Sequence, residues 1–210
     1  YTGALWHARE FGRAPVLFLP QGNYPIKNLH TLIQALPAVL QVYPCARLHV
    51  AGWAPLDKGP LLRPVTDGLF PYKAYCRKLA QRLGVAEHIR YLGPLDAESM
   101  RQAYLDADVF VLPSTCENSP NSLGEAMLLG VPCVAADVGG VSNMLHPGQG
   151  YVYQSTAPYM LAHYIAEVFR QQERAEEMGA QARLQALETH NPEKNMRDLL
   201  EIYRLIAEER

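Results

Sequence analysis

The 210-residue sequence lacks the features that would assign it at once to several common classes of protein. Its formal net charge is only −2, so it has no basic excess of the kind that binds nucleic acid, and we expect no nucleic-acid partner. The longest apolar runs fall far below the ~20 residues of a membrane span, and no signal peptide is visible. The four cysteines form no C-x-x-C pair, which predicts free thiols in a reducing, cytoplasmic compartment.

Several catalytic and binding motifs are also missing. No G-x-G-x-x-G follows the first predicted strand, which argues against an NAD enzyme, and no P-loop is present. The absence of G-x-S-x-G disfavours a serine hydrolase. No His, Cys and Asp residues are clustered at metal-ligand spacing, so we expect no metal site.

Short apolar runs instead alternate with amphipathic segments along most of the chain. The predicted strands are 15–20, 47–52, 88–93, 109–112, 132–136 and 150–153. This alternation predicts an α/β fold: a doubly wound, mostly parallel, six-stranded Rossmann-like sheet with a helical C-terminal tail. Ligands of such sheets bind outside the carboxyl ends of the strands.

The expected division is a lead-in or interdomain segment at 1–14, a ligand-binding domain at 15–190 and a C-terminal helix at 191–210. The first residue is Tyr1 rather than Met, which suggests a fragment of a longer protein. The long Gly- and Pro-rich loop 53–71 is expected to be functional or mobile. Asp96 is predicted to cap a helix. The last helix is expected to bury one apolar face, made of Met196, Leu199, Leu200, Tyr203 and Ile206.

The segment 113–145 contains the most informative pattern in the chain. Ser119 and Pro120 predict a helix start, with a hydroxyl N-cap and a proline at the first helical position. The next three N–H groups would be unpaired and would form an anion site suited to phosphate; they belong to Asn121, Ser122 and Leu123. Glu117 and Glu125 flank this site. The N–H groups could bind a phosphate, and the two carboxylates could accept hydrogen bonds from hydroxyl groups. Together they suggest a nucleotide-sugar ligand.

Lys27 lies in the loop after the first predicted strand, at the same edge of the sheet. A lysine there can neutralise a diphosphate held at the facing helix end. Taken alone, Lys27 also fits a solvated lysine at a helix start. The helix start alone also fits a capped helix with a solvated glutamate.

Together these residues resemble the signature of glycosyltransferase family 4, the retaining enzymes of the two-domain GT-B fold. The family pattern is a Glu, seven residues, Glu-Ala-Met, a small residue, Gly, x-Pro, a strand and Gly-Gly. It stands here as Glu117, Glu125-Ala126-Met127, Gly130, Pro132, Val134 and Gly139-Gly140. The Lys27-Asn28 pair resembles the Lys-Gly that the family has after the first strand. Further matches are Pro113-Ser114, Tyr43-Pro44, Arg47-Leu48 and Leu92-Gly93. The resemblance runs from Pro15 to the C-terminus and corresponds to the C-terminal, donor-binding half of such enzymes.

The resemblance implies a role for each matching residue. Glu125 would accept from the ribose hydroxyls, and Glu117 would face the donor sugar. Lys27 would neutralise the departing diphosphate without a metal, which makes Glu117 and Lys27 the catalytic candidates. The other expected donor contacts are Gly22, Asn23, Asn118, Ser119, Asn121, Ser122, Leu123 and, in the 92–95 turn that would line the base, Leu95.

The sequence departs from the family pattern at three places. The family usually has Gly-Arg before the lysine, whereas this chain has Gly22-Asn23 with one residue less spacing. Arg63, Lys73 and Arg77 are candidates to replace that arginine. Asn118 stands where Gly is common, and Asn143 stands where a Glu often follows Gly-Gly.

The leading hypothesis is therefore the donor-binding domain of a retaining hexosyltransferase of polysaccharide biosynthesis. It would move a hexose from a nucleoside-diphosphate sugar to a glycan or lipid-linked acceptor, with no cofactor. The acceptor would be held by an N-terminal domain, so this fragment alone is expected to bind nucleotide but to transfer sugar slowly or not at all. The full-length protein would be cytoplasmic, and a peripheral membrane contact at the inner face stays open. The alternatives are a nucleotide-sugar epimerase or phosphorylase of the same fold, and a non-catalytic interaction module.

Overall fold

The computed structural model describes residues 3–9, 14–52 and 67–208. Six parallel strands form one sheet with helices on both faces, which confirms the predicted fold class. The strands are β1 (Val16–Leu19), β2 (Arg47–Ala51), β3 (Ile89–Gly93), β4 (Val109–Leu112), β5 (Cys133–Ala136) and β6 (Tyr151–Tyr153). Each strand begins and ends within one residue of its predicted bounds. Strands β1, β4 and β5 are buried along their whole length, as their continuous apolar runs require in a sheet covered on both faces.

The strand order is β3-β2-β1-β4-β5-β6, and every described pair of neighbours is parallel. The order reverses between β1 and β4, where the chain first extends the sheet in one direction and then crosses back to extend it in the other. The loops that follow these two strands therefore diverge to opposite sides and leave a crevice at the carboxyl edge. Ligand sites of doubly wound sheets lie at such a topological switch point.

Helices connect the strands and cover both faces of the sheet. They are α1 (Leu29–Val42), α2 (Pro71–Arg82), α3 (Ala97–Asp106), α4 (Asn121–Leu129), α5 (Val141–Met144), α6 (Pro158–Arg170), α7 (Gln172–Thr189) and α8 (Pro192–Glu208). The predicted cap of α3 is confirmed, since the Asp96 carboxylate accepts from the Ser99 N–H at 2.8 Å. Most of the predicted loop 53–71 lies outside the described residues.

The interpretation of α8 as a helix with a buried face is wrong. No residue of α8 is buried. The five apolar residues predicted to face the core are 44 to 61% exposed: Met196, Leu199, Leu200, Tyr203 and Ile206. An amphipathic repeat shows that a helix has an apolar face, but it does not show that the same stretch of chain covers that face.

The segment 3–9 is anchored to the sheet domain by one aromatic residue. Trp6 is buried, its indole N–H donates to the Ala107 carbonyl at 2.6 Å, and its backbone N–H donates to Leu129 at 2.9 Å. Within the described ranges, no helix has both the length and the apolar composition that a membrane span requires.

Candidate active site

Two predicted site residues meet across the switch point. Lys27 follows β1, Glu117 follows β4, and the Lys27 Nζ lies 2.6 Å from the Glu117 Oε1. The lysine side chain is 20% exposed and the glutamate side chain 9% exposed. The pair is thus largely withdrawn from water. In such a partly buried site, a charge-assisted hydrogen bond is stronger than on an open surface. The structure brings together the two residues that the sequence placed on separate loops.

Asn28 fixes the position of Lys27. It is buried and has a left-handed backbone, with φ of 56°, a conformation that asparagine tolerates better than most residues. Its side-chain Nδ2 donates to the Pro113 carbonyl at 2.8 Å, and its Oδ1 accepts from the Thr31 hydroxyl at 2.7 Å. A backbone bond from Thr115 to Ile26, at 2.9 Å, joins the same two loops. Sequence reasoning missed this role, although an asparagine where the resembling family has glycine was a signal for it.

The glycine turn after β5 supports the Glu117 loop from the other side. A Cβ at Gly139 would stand 1.6 Å from the Glu117 carbonyl oxygen, and one at Gly140 would stand 2.0 Å from that of Asn118. The Gly140 N–H donates to the Glu117 carbonyl at 3.3 Å. Only residues without side chains allow this approach, so the turn helps to place the Glu117 loop.

The predicted helix start is correct in place but wrong in detail. Helix α4 begins at Asn121, so Pro120 is its N-cap rather than its first residue, and Ser119 makes no capping bond. The Ser119 hydroxyl instead lies 3.8 Å from the Met144 sulfur. Pro120 has an extended ψ of 107°, which turns its carbonyl into the first turn of the helix.

That carbonyl reduces the predicted anion site from three N–H groups to two. The Leu123 N–H, predicted to be unpaired, donates to Pro120 at 3.0 Å. The N–H groups of Asn121 and Ser122 make no hydrogen bond within the described part of the chain. Two amide donors at the positive end of a nine-residue helix remain available to an anion.

Glu125 lies in the same helix, and its carboxylate is held by a residue that sequence reasoning missed. The Tyr104 hydroxyl of α3 lies 3.0 Å from the Glu125 Oε2 and 3.1 Å from the Ser122 carbonyl. Tyr104 is fully buried. A tyrosine on the buried face of a helix needs a partner for its hydroxyl, and this requirement was the signal available in the sequence.

The remaining predicted donor contacts differ in their burial and in their place along the carboxyl edge of the sheet. Gly22 is buried, and its N–H donates to Ala51 at 3.2 Å. The Asn23 Oδ1 is buried without a hydrogen-bond partner, whereas Asn118 is exposed. Leu95 is partly buried just beyond β3, an edge strand that lies two positions from β1. The structure therefore groups all of these residues at the carboxyl edge but places Leu95 at its far side.

The candidates for the missing family arginine differ in their surroundings. The Arg77 guanidinium already contacts both carboxylate oxygens of Asp67 at 2.7 Å. The Lys73 Nζ lies 4.6 Å from the centroid of the Phe70 ring. Arg63 lies outside the described residues. Of these three, Arg77 would have to break an ion pair to reach a phosphate.

His30 adds no positive charge to this edge at neutral pH. It lies in the first turn of α1, edge-on to the rings of Tyr72 and Tyr75, with its Nδ1 3.2 Å from the Tyr72 hydroxyl. Burial lowers the pKa of His30 below its ordinary value of 6.5, so the imidazole is neutral at pH 7. Across the described ranges, no three His, Cys, Asp or Glu side chains converge as a metal site would need.

A separate cavity of about 230 Å³ lies at the opposite edge of the sheet. Trp6, Tyr43 and Phe169 supply its aromatic walls, and Asp108 lies beside it just before β4 begins. It is lined by none of the residues of the Lys27–Glu117 crevice. The residues that we assign to a nucleotide-sugar are therefore not in this cavity.

Comparison with known proteins identifies the family of this chain. The model of the family described as "Glycosyl transferases group 1" matches residues 12–185. The chain belongs to this family. The match includes both glutamates, Lys27, the start of α4 and the Gly139-Gly140 turn.

Individual relatives are similar over most of this chain. A GDP-mannose-dependent alpha-(1-6)-phosphatidylinositol monomannoside mannosyltransferase from Mycobacterium tuberculosis is 28% identical over 182 residues, which cover 83% of this chain. A D-inositol 3-phosphate glycosyltransferase from Streptomyces griseus is 31% identical over 163 residues, which cover 75% of this chain. The matched regions are 43% and 32% of those two proteins, so this family member spans less than half of their length.

A solved structure shares the fold. The crystal structure of Anabaena HepE in complex with UDP superposes with a TM-score of 0.73 at 21% identity. The superposition covers 90% of this chain and 49% of the HepE chain. At this identity the likeness establishes the architecture and does not transfer residue roles.

Proposed function

We propose that this chain is the donor-binding domain of a retaining glycosyltransferase that moves a hexose from a nucleoside-diphosphate sugar to a glycan or lipid-linked acceptor. One observation carries the proposal. The Lys27–Glu117 pair, the two available N–H groups of α4 and the Tyr104-bound carboxylate of Glu125 lie at one switch point. Lys27 and the two N–H groups match the diphosphate of such a donor. The carboxylates of Glu117 and Glu125 match the hydroxyls of its sugar and of its ribose.

The roles divide between the two sides of the crevice. The N–H groups of Asn121 and Ser122 would bind the distal phosphate, and Lys27 would neutralise the charge that grows on it as the glycosidic bond breaks. No metal is needed in this scheme, because the lysine and the helix end supply the positive charge. Glu117 would face the sugar once a diphosphate has taken its place on Lys27.

Glu125 would accept from the ribose hydroxyls. A carboxylate has about four acceptor positions on its two oxygens, and Tyr104 occupies one of them. The remaining positions are sufficient for two neighbouring hydroxyl donors.

The names of the relatives support a nucleotide-sugar donor and a phosphoinositol-type or lipid-linked acceptor, and we place the acceptor on the remainder of a longer protein. We propose that the protein works in the cytoplasm and that the full-length protein makes a peripheral contact with the inner face of the membrane.

Calorimetric titration of this chain with UDP, GDP and ADP tests the proposal. We expect one of them to bind, and we expect Glu125→Ala to weaken that binding by about 1–3 kcal/mol, the cost of lost hydrogen bonds in a buried site. Absence of binding by all three at millimolar concentration would remove the donor site. Product analysis on the longer protein then decides the reaction: a new glycosidic bond supports transfer, whereas a free epimerised sugar or a dependence on phosphate contradicts it.

A further inference from the structure

Tyr104 is held rigidly at the switch point by the two strands that form it. Its side chain is fully buried in α3. Its ring lies edge-on to Phe18 of β1, with centroids 5.1 Å apart, and 5.8 Å from Phe110 of β4. Aromatic contacts of this geometry favour one orientation of the ring. The position of the hydroxyl is therefore fixed by the core of the sheet.

The hydroxyl points out of that core to α4, the helix that carries the proposed donor contacts. It lies 3.0 Å from the Glu125 Oε2 and 3.1 Å from the Ser122 carbonyl. The hydroxyl has one proton, and an ionised carboxylate is a stronger acceptor than a carbonyl. Tyr104 therefore donates to Glu125, while its proximity to Ser122 ties the same group to the first turn of the helix.

Glu125 makes no other hydrogen bond within the described part of the chain. Its Oε1 is thus left with both acceptor positions, and its Oε2 with one. Without Tyr104, a glutamate on a helix would sample several rotamers and would lose entropy when a ligand fixed it. With Tyr104, the carboxylate is oriented before the ligand arrives.

We infer that Tyr104 is a positioning residue for the ribose contact: it holds the Glu125 carboxylate so that its free acceptor positions meet a vicinal diol. This inference rests on the proposed donor function. It adds a residue to the site that acts through Glu125 and does not itself touch the ligand. Its effect should therefore appear only with ligands that carry the ribose hydroxyls.

Tyr104→Phe tests the inference, because it removes the hydroxyl and keeps the ring. Tyr153→Phe is the matched control, since Tyr153 is also buried and its hydroxyl has no hydrogen-bond partner. Each variant is titrated with GDP and 2′,3′-dideoxy-GDP, and with the corresponding UDP pair. We expect Tyr104→Phe to weaken binding of the ribose form roughly tenfold, the scale of one charge-assisted hydrogen bond, and to leave the dideoxy form nearly unchanged. Tyr153→Phe should change neither.

The outcomes separate this inference from the proposed function. Suppose that Glu125→Ala weakens binding of the ribose form only. If Tyr104→Phe then lowers the affinity for both ligands equally, or for neither, the positioning role is overturned. If the unchanged chain does not distinguish the two ligands, the ribose role of Glu125 fails and the role of Tyr104 fails with it.

A measurement on the unchanged chain guards against a folding defect in the variant. The ring resonances of Tyr104 in an NMR spectrum should shift when the ribose nucleotide is added and should shift much less with the dideoxy form. Identical shifts with both ligands would contradict the inference without any substitution.

Discussion

The Lys27 Nζ and the Glu117 Oε1 lie 2.6 Å apart, although 90 residues separate them in the chain. The contact crosses the one place in the sheet where the strand order reverses, because Lys27 follows β1 and Glu117 follows β4. It joins the two groups that we assign to adjacent parts of a donor, the diphosphate and the sugar. A diphosphate that binds Lys27 must compete with Glu117, and two opposed predictions follow for the two residues.

Lys27→Gln should weaken binding of the preferred nucleoside diphosphate. It removes a cation from a mostly buried position, and a hydrogen bond to a charged group contributes about 1.5–3 kcal/mol, so the affinity should fall at least tenfold. Lys78→Gln is the control, because Lys78 is an exposed lysine on α2. Calorimetry on both variants checks the prediction, and equal affinities of the two would show that Lys27 does not bind the diphosphate.

Glu117→Gln should have the opposite effect on the nucleotide. It removes the carboxylate that competes with the diphosphate for Lys27, and a hydrogen bond to a charged group contributes about 1.5–3 kcal/mol, so the affinity should stay the same or rise by up to roughly tenfold. Sugar transfer by the longer protein should fall by roughly 10²-fold, the scale of one lost electrostatic contact at a reacting centre. Full transfer activity in this variant would instead favour a non-catalytic role.

The fold was predictable from local patterns, and so was the placement of Lys27 and Glu117 at one edge of the sheet. Strands buried on both faces are continuous apolar runs, and β1 and β4 deliver their following loops to one edge whatever the details of packing. The contact of Tyr104 with Glu125 was not predictable, because it joins different helices and depends on how the ring packs between Phe18 and Phe110.

The two errors have different origins, one in local structure and one in long-range structure. Ser119-Pro120 matched a common cap, but Pro120 became the cap itself and took the Leu123 N–H. The apolar face of α8 was visible in the sequence, whereas its exposure depends on what packs against it. For α8, the local sequence determines that an apolar face exists, and tertiary contacts determine whether that face is buried.

The glycine turn after β5 should be needed for the site as well as for stability. Gly139→Ala places a methyl group at a φ of 52° and 1.6 Å from the Glu117 carbonyl, so the Glu117 loop must move. Gly84→Ala is a matched control, since Gly84 has a φ of 69° and open space around its Cβ position. The control should cost about 1–2 kcal/mol of unfolding free energy, the penalty for a left-handed backbone.

The Gly139 variant should lose more stability than the control and should also lose nucleotide affinity. Urea unfolding and calorimetry measure the two effects. Equal losses of stability in the two variants, with nucleotide binding intact, would mean that the turn does not support the Glu117 loop.

The stability of the chain should decrease as the pH falls through about 6.5, in part because of His49. Burial, and then the positive charge of Arg90 on the neighbouring strand, lower the pKa of His49 below its ordinary value of 6.5. The unfolded chain therefore takes up a proton more readily than the folded one, so its contribution to stability is complete above pH 6.5 and is lost as the pH falls through the folded-state pKa. Urea unfolding at several pH values should show a smaller decrease for His49→Gln. An unchanged pH profile in that variant would contradict the assignment.

Cys116 offers a test of the site that does not depend on catalysis. It is exposed and immediately precedes Glu117, whereas Cys45 is exposed just before β2, at the opposite edge of the sheet. Cys76 and Cys133 are buried, and burial raises the pKa of the Cys76 thiol to about 11, so both should react slowly because the thiolate is the reactive form. A disulfide reagent should therefore label Cys116 and Cys45 first, as peptide mapping would show.

A bound nucleoside diphosphate should slow labelling of Cys116 and leave the labelling rate of Cys45 unchanged. Equal rates at Cys116 with and without a nucleotide that calorimetry shows to bind would place that nucleotide away from the Glu117 loop.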